Sequence, residues 1–287
     1  MSHLIDFRAG RCRLPPEAFA IVRNGLKPPQ DLIKEDTWNS IVSLTDDVSL
    51  QTSDYHGSEL KVMNELWGDW IESLGEKKDP MFHTMLDAGD EFQACTFNSL
   101  VGYYRVASSC LRSALELNII GTYLQLSLGL PIAKIGYSNW VKKVLPIRYG
   151  KACDHMHKDP LVQPLEEYLN SEMDYSVFGQ KSGEKQGGWA RKLYSELSDF
   201  AHSRPTHAAV VMWQGSNGPI YVTSSFMRVF ALYMDTMALS YALVKLVRPE
   251  FKCPRTTNYF FTSKYIRPSK VAVLTYRFLW KNKVCDI

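Results

Sequence analysis

Residues 91–128 read EFQACTFNSLVGYYRVASSCLRSALELNIIGTYLQLSL, and their spacing decides the fold class. Phe97, Leu100, Val101, Tyr104, Ser108, Leu111, Leu115, Ile119 and Thr122 recur every three or four residues, the period of one helix face. The pattern predicts a helix over Glu91–Leu128, stopped by Gly129 and Pro131, with Gly102 marking a kink or a close contact inside it.

Working outward, the same period recurs. Asp36 is placed to cap a helix carrying Trp38, Ile41, Val42 and Leu44. A second helix is expected from Ser58 to Leu74, with Leu60, Met63, Leu66, Trp67, Trp70, Ile71 and Leu74 on one face, ended by Gly75 and Asp79-Pro80. Shorter helical stretches are expected at Tyr137–Leu145 and Leu161–Asn170. The polar, Gly-rich run 179–188 reads as a loop, and the helix Trp189–His202 follows it, bounded by Pro205. Ala208–Gln214 and Ile220–Thr223 flank Gly215-Ser216-Asn217-Gly218-Pro219, which predicts a β-hairpin with Trp213 and Tyr221 packed across it. A long apolar helix over 224–247, capped by Ser224 or Ser225, closes this part of the chain.

The fold class expected is therefore mainly α: a helical bundle with one small β-hairpin. Residues 1–34, with Pro15-Pro16 and Pro28-Pro29, read as an irregular N-terminal arm. Residues 35–248 form the helical domain, with the hairpin near 208–223, and 249–287 form a basic, aromatic C-terminal tail. In that tail Lys270–Trp280 fits either a short helix capped by Ser269 or a strand.

Composition narrows the class. With 45% apolar and 22% charged residues, the chain has the make-up of a soluble globular protein. Phe226–Val247 is the nearest candidate for a membrane span, but Arg228 and Asp235 would be costly at mid-bilayer, so a buried core helix and no membrane partner are expected. The first residues lack an apolar secretory core, and the six cysteines lack CxxC spacing, which points to reduced thiols in a cytoplasmic protein. Residues 245–287 hold ten Lys/Arg against two acidic residues, whereas the first 244 hold 23 against 28. Cations interleaved with Phe251, Tyr259, Phe260, Phe261, Tyr265, Tyr276, Phe278 and Trp280 suit a nucleic-acid backbone and its bases; equally, they suit a solvated basic face whose rings pack inward.

Two constellations can carry chemistry. Arg105, Ser109, Arg112 and Glu116 step by four, three and four residues and so share a stripe on the long helix, where Arg112 and Glu116 can also pair with each other. Tyr194, Ser198 and His202 lie four apart on one face of the helix 189–202, with Arg191 three residues before Tyr194. A histidine titrating near neutrality can move a proton, a guanidinium can neutralise a phosphoryl oxygen, and a hydroxyl can orient either. Those are the minimal parts of metal-free RNA cleavage, in which the 2′-OH attacks the adjacent phosphate. Tyr194, Ser198 and His202 could instead form a hydrogen-bonded structural network. Cys153, His155 and His157 would share a face only in an extended segment, so no metal site and no cofactor are assigned. No Walker A, G-x-G-x-x-G or G-x-S-x-G motif is present.

Leu-Arg-Ser-Ala-Leu-Glu (111–116) in a long helix, followed by Tyr-x-x-Leu-Ser-x-x-Ala-His (194–202), resembles bacterial HEPN-like proteins, including abortive-infection families. The run His202–Tyr221 resembles uncharacterised bacterial proteins of mobile-element character, and the similarity spans residues 91–247. The resemblance implies a helical bundle, frequent dimerisation and, in active members, metal-independent RNA cleavage by an Arg followed after four to six residues by a His. Here Arg191 precedes His202 by eleven residues and Arg204 precedes His207 by three. The expected function is action on RNA, as a metal-independent ribonuclease in phage defence or a toxin system. His202 would be the acid/base, Arg112 or Arg204 the phosphate clamp, Tyr194, Ser198 and Glu116 the groups around them, and Arg105 and Arg191 further phosphate contacts. The alternative is a non-catalytic helical module that senses a protein or nucleotide partner. A homodimer or a partner protein is expected in either case.

Overall fold

The computed structural model of the chain describes residues 35–75, 79–127, 138, 142, 147–179, 187–201, 219–263 and 268–281, with side chains from residue 44 onward. These residues form nine principal helices: α1 (Glu35–Glu72), α2 (Pro80–Leu100), α3 (Tyr104–Ser127), α4 (Tyr149–Met156), α5 (Gln163–Met173), α6 (Trp189–Ala201), α7 (Thr223–Val247), α8 (Arg255–Thr262) and α9 (Lys270–Trp280).

The segment expected to be one helix over 91–128 is two, folded back on each other. Leu100 is the last residue of α2, and Gly102 adopts φ +83, which ends the helical ladder. The Gly102 amide donates to Ser99 O and the Tyr103 amide to Asn98 O at 2.8 Å, the paired reverse bonds that close a helix end through a left-handed residue. A Cβ on Gly102 would also lie 2.5 Å from the Ile220 carbonyl oxygen, so the position excludes side chains twice over. α2 and α3 then run antiparallel and approach closely. Gly121 leaves no room for a Cβ against Thr84, and the Thr122 hydroxyl reaches Met81 Sδ at 3.7 Å. Asp79-Pro80, expected to terminate the preceding helix, opens this hairpin instead: the Asp79 carboxylate accepts from the Phe82 amide at 2.8 Å, with proline in the first turn.

The apolar face foreseen for 58–74 is the buried one: Leu60, Met63, Leu66 and Trp70 lie in the core, and Trp67, Ile71 and Leu74 pack against it. The two helices expected in this region are both present: they run on from each other as α1 and meet at a kink, where His56 leaves the helical conformation (φ −131, ψ 27). His56 is buried there, stacked on Phe226 with ring centroids 4.3 Å apart, its Nε2 3.2 Å from the Tyr221 hydroxyl. Asn118 of α3 donates to Ser240 of α7 at 3.0 Å, a buried polar link between the two central helices. α7 is long and apolar enough to cross a membrane by length and composition, yet 78% of its most apolar window is buried inside the protein.

The β-hairpin is not found among the described residues. Its first arm, 208–214, and its turn lie outside the described residues, but the return arm is described and is no strand. Residues 219–222 are irregular and Thr223 already opens α7, with Val222 rather than Ser224 or Ser225 at the cap position. The physical reason is that this backbone is engaged elsewhere: the Val222 amide donates to the Tyr104 hydroxyl at 3.1 Å, and Ile220 abuts Gly102. Tyr221 stacks on Tyr55 at 5.5 Å; Trp213, its expected partner, is outside the described residues. Of the expected helix 137–145, only residues 138 and 142 are described, joined by a Lys142 N–H to Ser138 carbonyl bond of 3.0 Å.

Past Pro249 the described residues include two helices, α8 and α9, and Lys270–Trp280 is thus a helix and not a strand. Its aromatic residues turn inward: Phe260, Phe261 and Tyr276 belong to the same core as α1 and α7, while Tyr259 stays exposed. Two carboxylates anchor these helices through backbone amides. Asp69 of α1 accepts from the Thr257 amide and hydroxyl at 2.7 and 2.8 Å, and Asp235 of α7 accepts from the Ser269 amide at 2.8 Å. Burial holds the Asp235 carboxyl above the usual carboxylate range.

Two outcomes follow. Gly102→Ala forces a side chain into a left-handed position against the Ile220 backbone; the cost is at least about 2 kcal/mol, read as a fall in melting temperature of about 4 °C or more. Burial lowers the His56 pKa from its ordinary value, the nearby Glu59 opposing only in part. The folded state therefore binds this proton less readily than the unfolded chain. The stability it carries is full above the ordinary histidine pKa of about 6.5 and drains away as pH falls through it. Melting temperature measured from pH 7.5 to 5 should drop on acidification, and His56→Phe, which keeps the stack on Phe226, should flatten that slope.

Candidate functional site

The two polar stripes meet. α3 and α6 pack antiparallel, so the lower-numbered end of one stripe faces the higher-numbered end of the other. Arg112 Nη2 donates to the Tyr194 hydroxyl at 2.7 Å, and its Nε donates to Ser198 Oγ at 3.1 Å. The guanidinium also lies 5.0 Å from the centroid of the Tyr194 ring. Glu116 Oε2 stands 3.8 Å from Arg112 Nη2, a looser contact than either hydroxyl makes. The Arg112 side chain is 25% exposed and that of Glu116 34%, so this edge of the seam opens to solvent.

Arg105 serves the far end of the seam. Its Nε donates at 2.9 Å to the carbonyl of Phe200, one of the last carbonyls of α6, which have no partner within their own helix. The cation that touches the end of α6, where the sequence continues into His202, is thus Arg105, two turns before Arg112 on α3. The Ser109 hydroxyl between them donates back to the Arg105 carbonyl, at 3.1 Å. His202 and Arg204 lie outside the described residues.

Tyr194 is held from behind. Its ring stacks on Tyr149 of α4 with centroids 3.9 Å apart and planes within 14°. The Tyr149 hydroxyl donates to the Ala190 carbonyl at 2.8 Å, and burial pushes this phenol's pKa well up, so it stays neutral. Arg191 faces away from the seam. It donates to the Phe178 carbonyl at 3.2 Å and the Gly150 carbonyl at 3.1 Å, and pairs with Asp154. Its three contacts tie α4, the 175–179 segment and α6 together.

Sequence reasoning missed Tyr149 and Glu166. Glu166 of α5 is buried, accepts from the Val177 and Phe178 amides at 2.8 and 2.9 Å and from Ser176 Oγ at 2.7 Å, and lies 3.1 Å from His157 Nδ1. It fixes the segment that leads to α6. Nothing in the periodicity marks it; a glutamate at a position that faces the core is the one available signal. Cys153 and His155 fall on α4, with His157 just past its end, so the alternation that would gather a metal-binding face is lost. His155 packs edge-on against Tyr123, and burial raises the Cys153 thiol to about 12. Among the described residues no three His, Cys, Asp or Glu side chains are grouped to hold a metal ion.

Chemically, the seam offers a guanidinium fixed by two hydroxyls, with a carboxylate on its open side. A double-mutant cycle on Arg112→Ala and Tyr194→Phe should return a coupling of about 1 kcal/mol in urea unfolding; additive effects would mean that the bond contributes nothing to stability.

No protein-family model matches this chain, and neither a curated protein nor a solved structure matches it.

Proposed function

We propose that this chain is a HEPN-like helical protein of the cytoplasm that acts on RNA through the α3–α6 seam, as a metal-independent ribonuclease of a phage-defence or toxin system. The observation that carries the reading is Arg112: a cation a quarter exposed, fixed by Tyr194 and by Ser198, which precedes His202 by four residues in the sequence. A phosphoryl oxygen would displace the loosely held Glu116 carboxylate and take its place on the guanidinium. His202 would accept the 2′-OH proton as that oxygen attacks phosphorus, the P–O5′ bond would break, and the 5′-oxygen would take a proton from water, giving a 2′,3′-cyclic phosphate and a 5′-hydroxyl. The protein works as a homodimer or with a partner protein, and without a membrane or a cofactor.

One observation favours a second reading, a non-catalytic module that senses a protein or nucleotide partner. Arg105 and Arg112 are both held by protein groups, so the seam has the make-up of an interhelical lock. The test is end-labelled RNA incubated with the purified protein in excess EDTA, beside Arg112→Ala and His202→Ala. The ribonuclease reading expects cleavage with cyclic-phosphate ends, reduced about a hundredfold or more in each variant. Equal cleavage by all three proteins, or none by the unaltered chain, overturns it. RNA bound but uncut, with binding lost in Arg112→Ala, is the outcome for a sensor.

A further inference from the structure

A cleft of about 650 Å³ opens between the turn that follows α7 and the C-terminal end of α9. That volume suits a small organic ligand. Two other clefts are smaller: a gap of about 10 Å³ beside Met237 and an apolar groove of about 170 Å³ beside Phe97. Among the described residues, Lys245, Lys252 and Lys281 line the large cleft against one acid, Glu250. Lys252 and Lys281 are exposed, and Lys281 is turned out of α9 by a left-handed backbone, φ 50. Lys245 is pinned in the wall: its ammonium donates to the Phe251 carbonyl at 2.9 Å and to that of Pro249, and lies 5.9 Å from the Trp280 ring.

The aromatic wall is built as a stack. Phe261 lies on Tyr276 at 4.5 Å and Tyr276 on Trp280 at 5.0 Å, so a column of rings ends at the cleft. Phe251 meets Trp280 at 67°, its own ring backed by Tyr241. Rings supported from behind lose little freedom when a flat ligand packs on them, and the lysines beside them call for an anion.

We propose that this cleft binds a nucleotide, either free or as an unpaired residue of an RNA strand, with the base against Phe251 and Trp280 and the phosphate between Lys252 and Lys281. The site uses none of the α3–α6 residues and does not depend on catalysis there.

Full-length protein is titrated by calorimetry with AMP, adenosine and inorganic phosphate. It is also titrated, by fluorescence anisotropy, with a labelled ten-nucleotide adenine strand whose 2′-O-methyl groups block cleavage, single or annealed to its complement. AMP or the single strand should bind at least tenfold tighter than adenosine or phosphate, and the duplex should bind more weakly than the single strand. Equal affinity for AMP and the strand, per site, identifies a free nucleotide as the ligand; binding of the strand alone identifies RNA. Lys252→Ala with Lys281→Ala, both on exposed residues and expected to leave the melting temperature unchanged, should weaken binding tenfold or more. For the strand, the same pair should lower the log–log salt slope by roughly 1.4. Lys61→Ala, at an exposed residue of α1 outside the cleft, should leave this binding intact. Failure of both AMP and the strand to bind overturns the proposal, as does unchanged affinity in the double-lysine variant, or an equal loss in Lys61→Ala.

Discussion

A left-handed glycine sets the arrangement of everything else in this molecule. At Gly102 the chain reverses within two residues, so a single apolar period of 38 residues becomes two antiparallel helices instead of one long rod. The reversal lays α2 along α3 so closely that Gly121 and Thr84 meet, and it makes a notch that the Ile220 backbone fills. That seat fixes where α7 begins, because Val222 is bonded to Tyr104 immediately beyond the turn. With α2 on one side and α7 on another, α3 is left with a third face for α4 and α6, and that face carries Arg105, Arg112 and Glu116. The polar seam exists because the turn leaves this stripe uncovered by its own hairpin partner.

The periodicity of 58–74 and of 104–122 was legible because hydrophobic burial imposes it directly: a residue that misses the core face leaves apolar surface in water. Leu60, Met63, Leu66, Leu111, Leu115 and Ile119 all lie where the spacing puts them. What the spacing could not carry is backbone conformation at single residues. Gly102 is one glycine in a run that stays in register on both sides of it, so the period hides the break. Phe97, on the same period, is 61% exposed because the helix that carries it ends three residues later. The hairpin expectation failed for the converse reason. Ile220, Tyr221 and Val222 have strand-like composition, but their amides and rings are taken by Tyr104, Tyr55 and His56, contacts of long range in sequence.

At the seam, the helical spacing put the right groups on facing stripes: Arg112 does reach Tyr194 and Ser198. The pairing register was not legible, since it depends on how far α6 slides along α3. That slide is set by residues that carry no motif. Tyr149 wedges behind Tyr194, Glu166 holds the segment before α6 by two amides and a hydroxyl, and Arg191 straps α4 to the same segment. Each is a polar side chain satisfied by backbone groups, the kind of interaction that fixes position while leaving no periodic trace.

The same logic separates the two basic regions of the chain. At the seam, every described arginine is committed to a hydroxyl, a carboxylate or a carbonyl, so a ligand there must compete with protein partners, and affinity depends on how readily Glu116 gives way. In the cleft beside Trp280 the exposed lysines line the same space as rings already braced by Tyr276 and Tyr241, and a ligand meets prepared surface. Preorganised rings favour retention, whereas a cation already bonded favours discrimination, because only a group that replaces its partners geometrically can displace them.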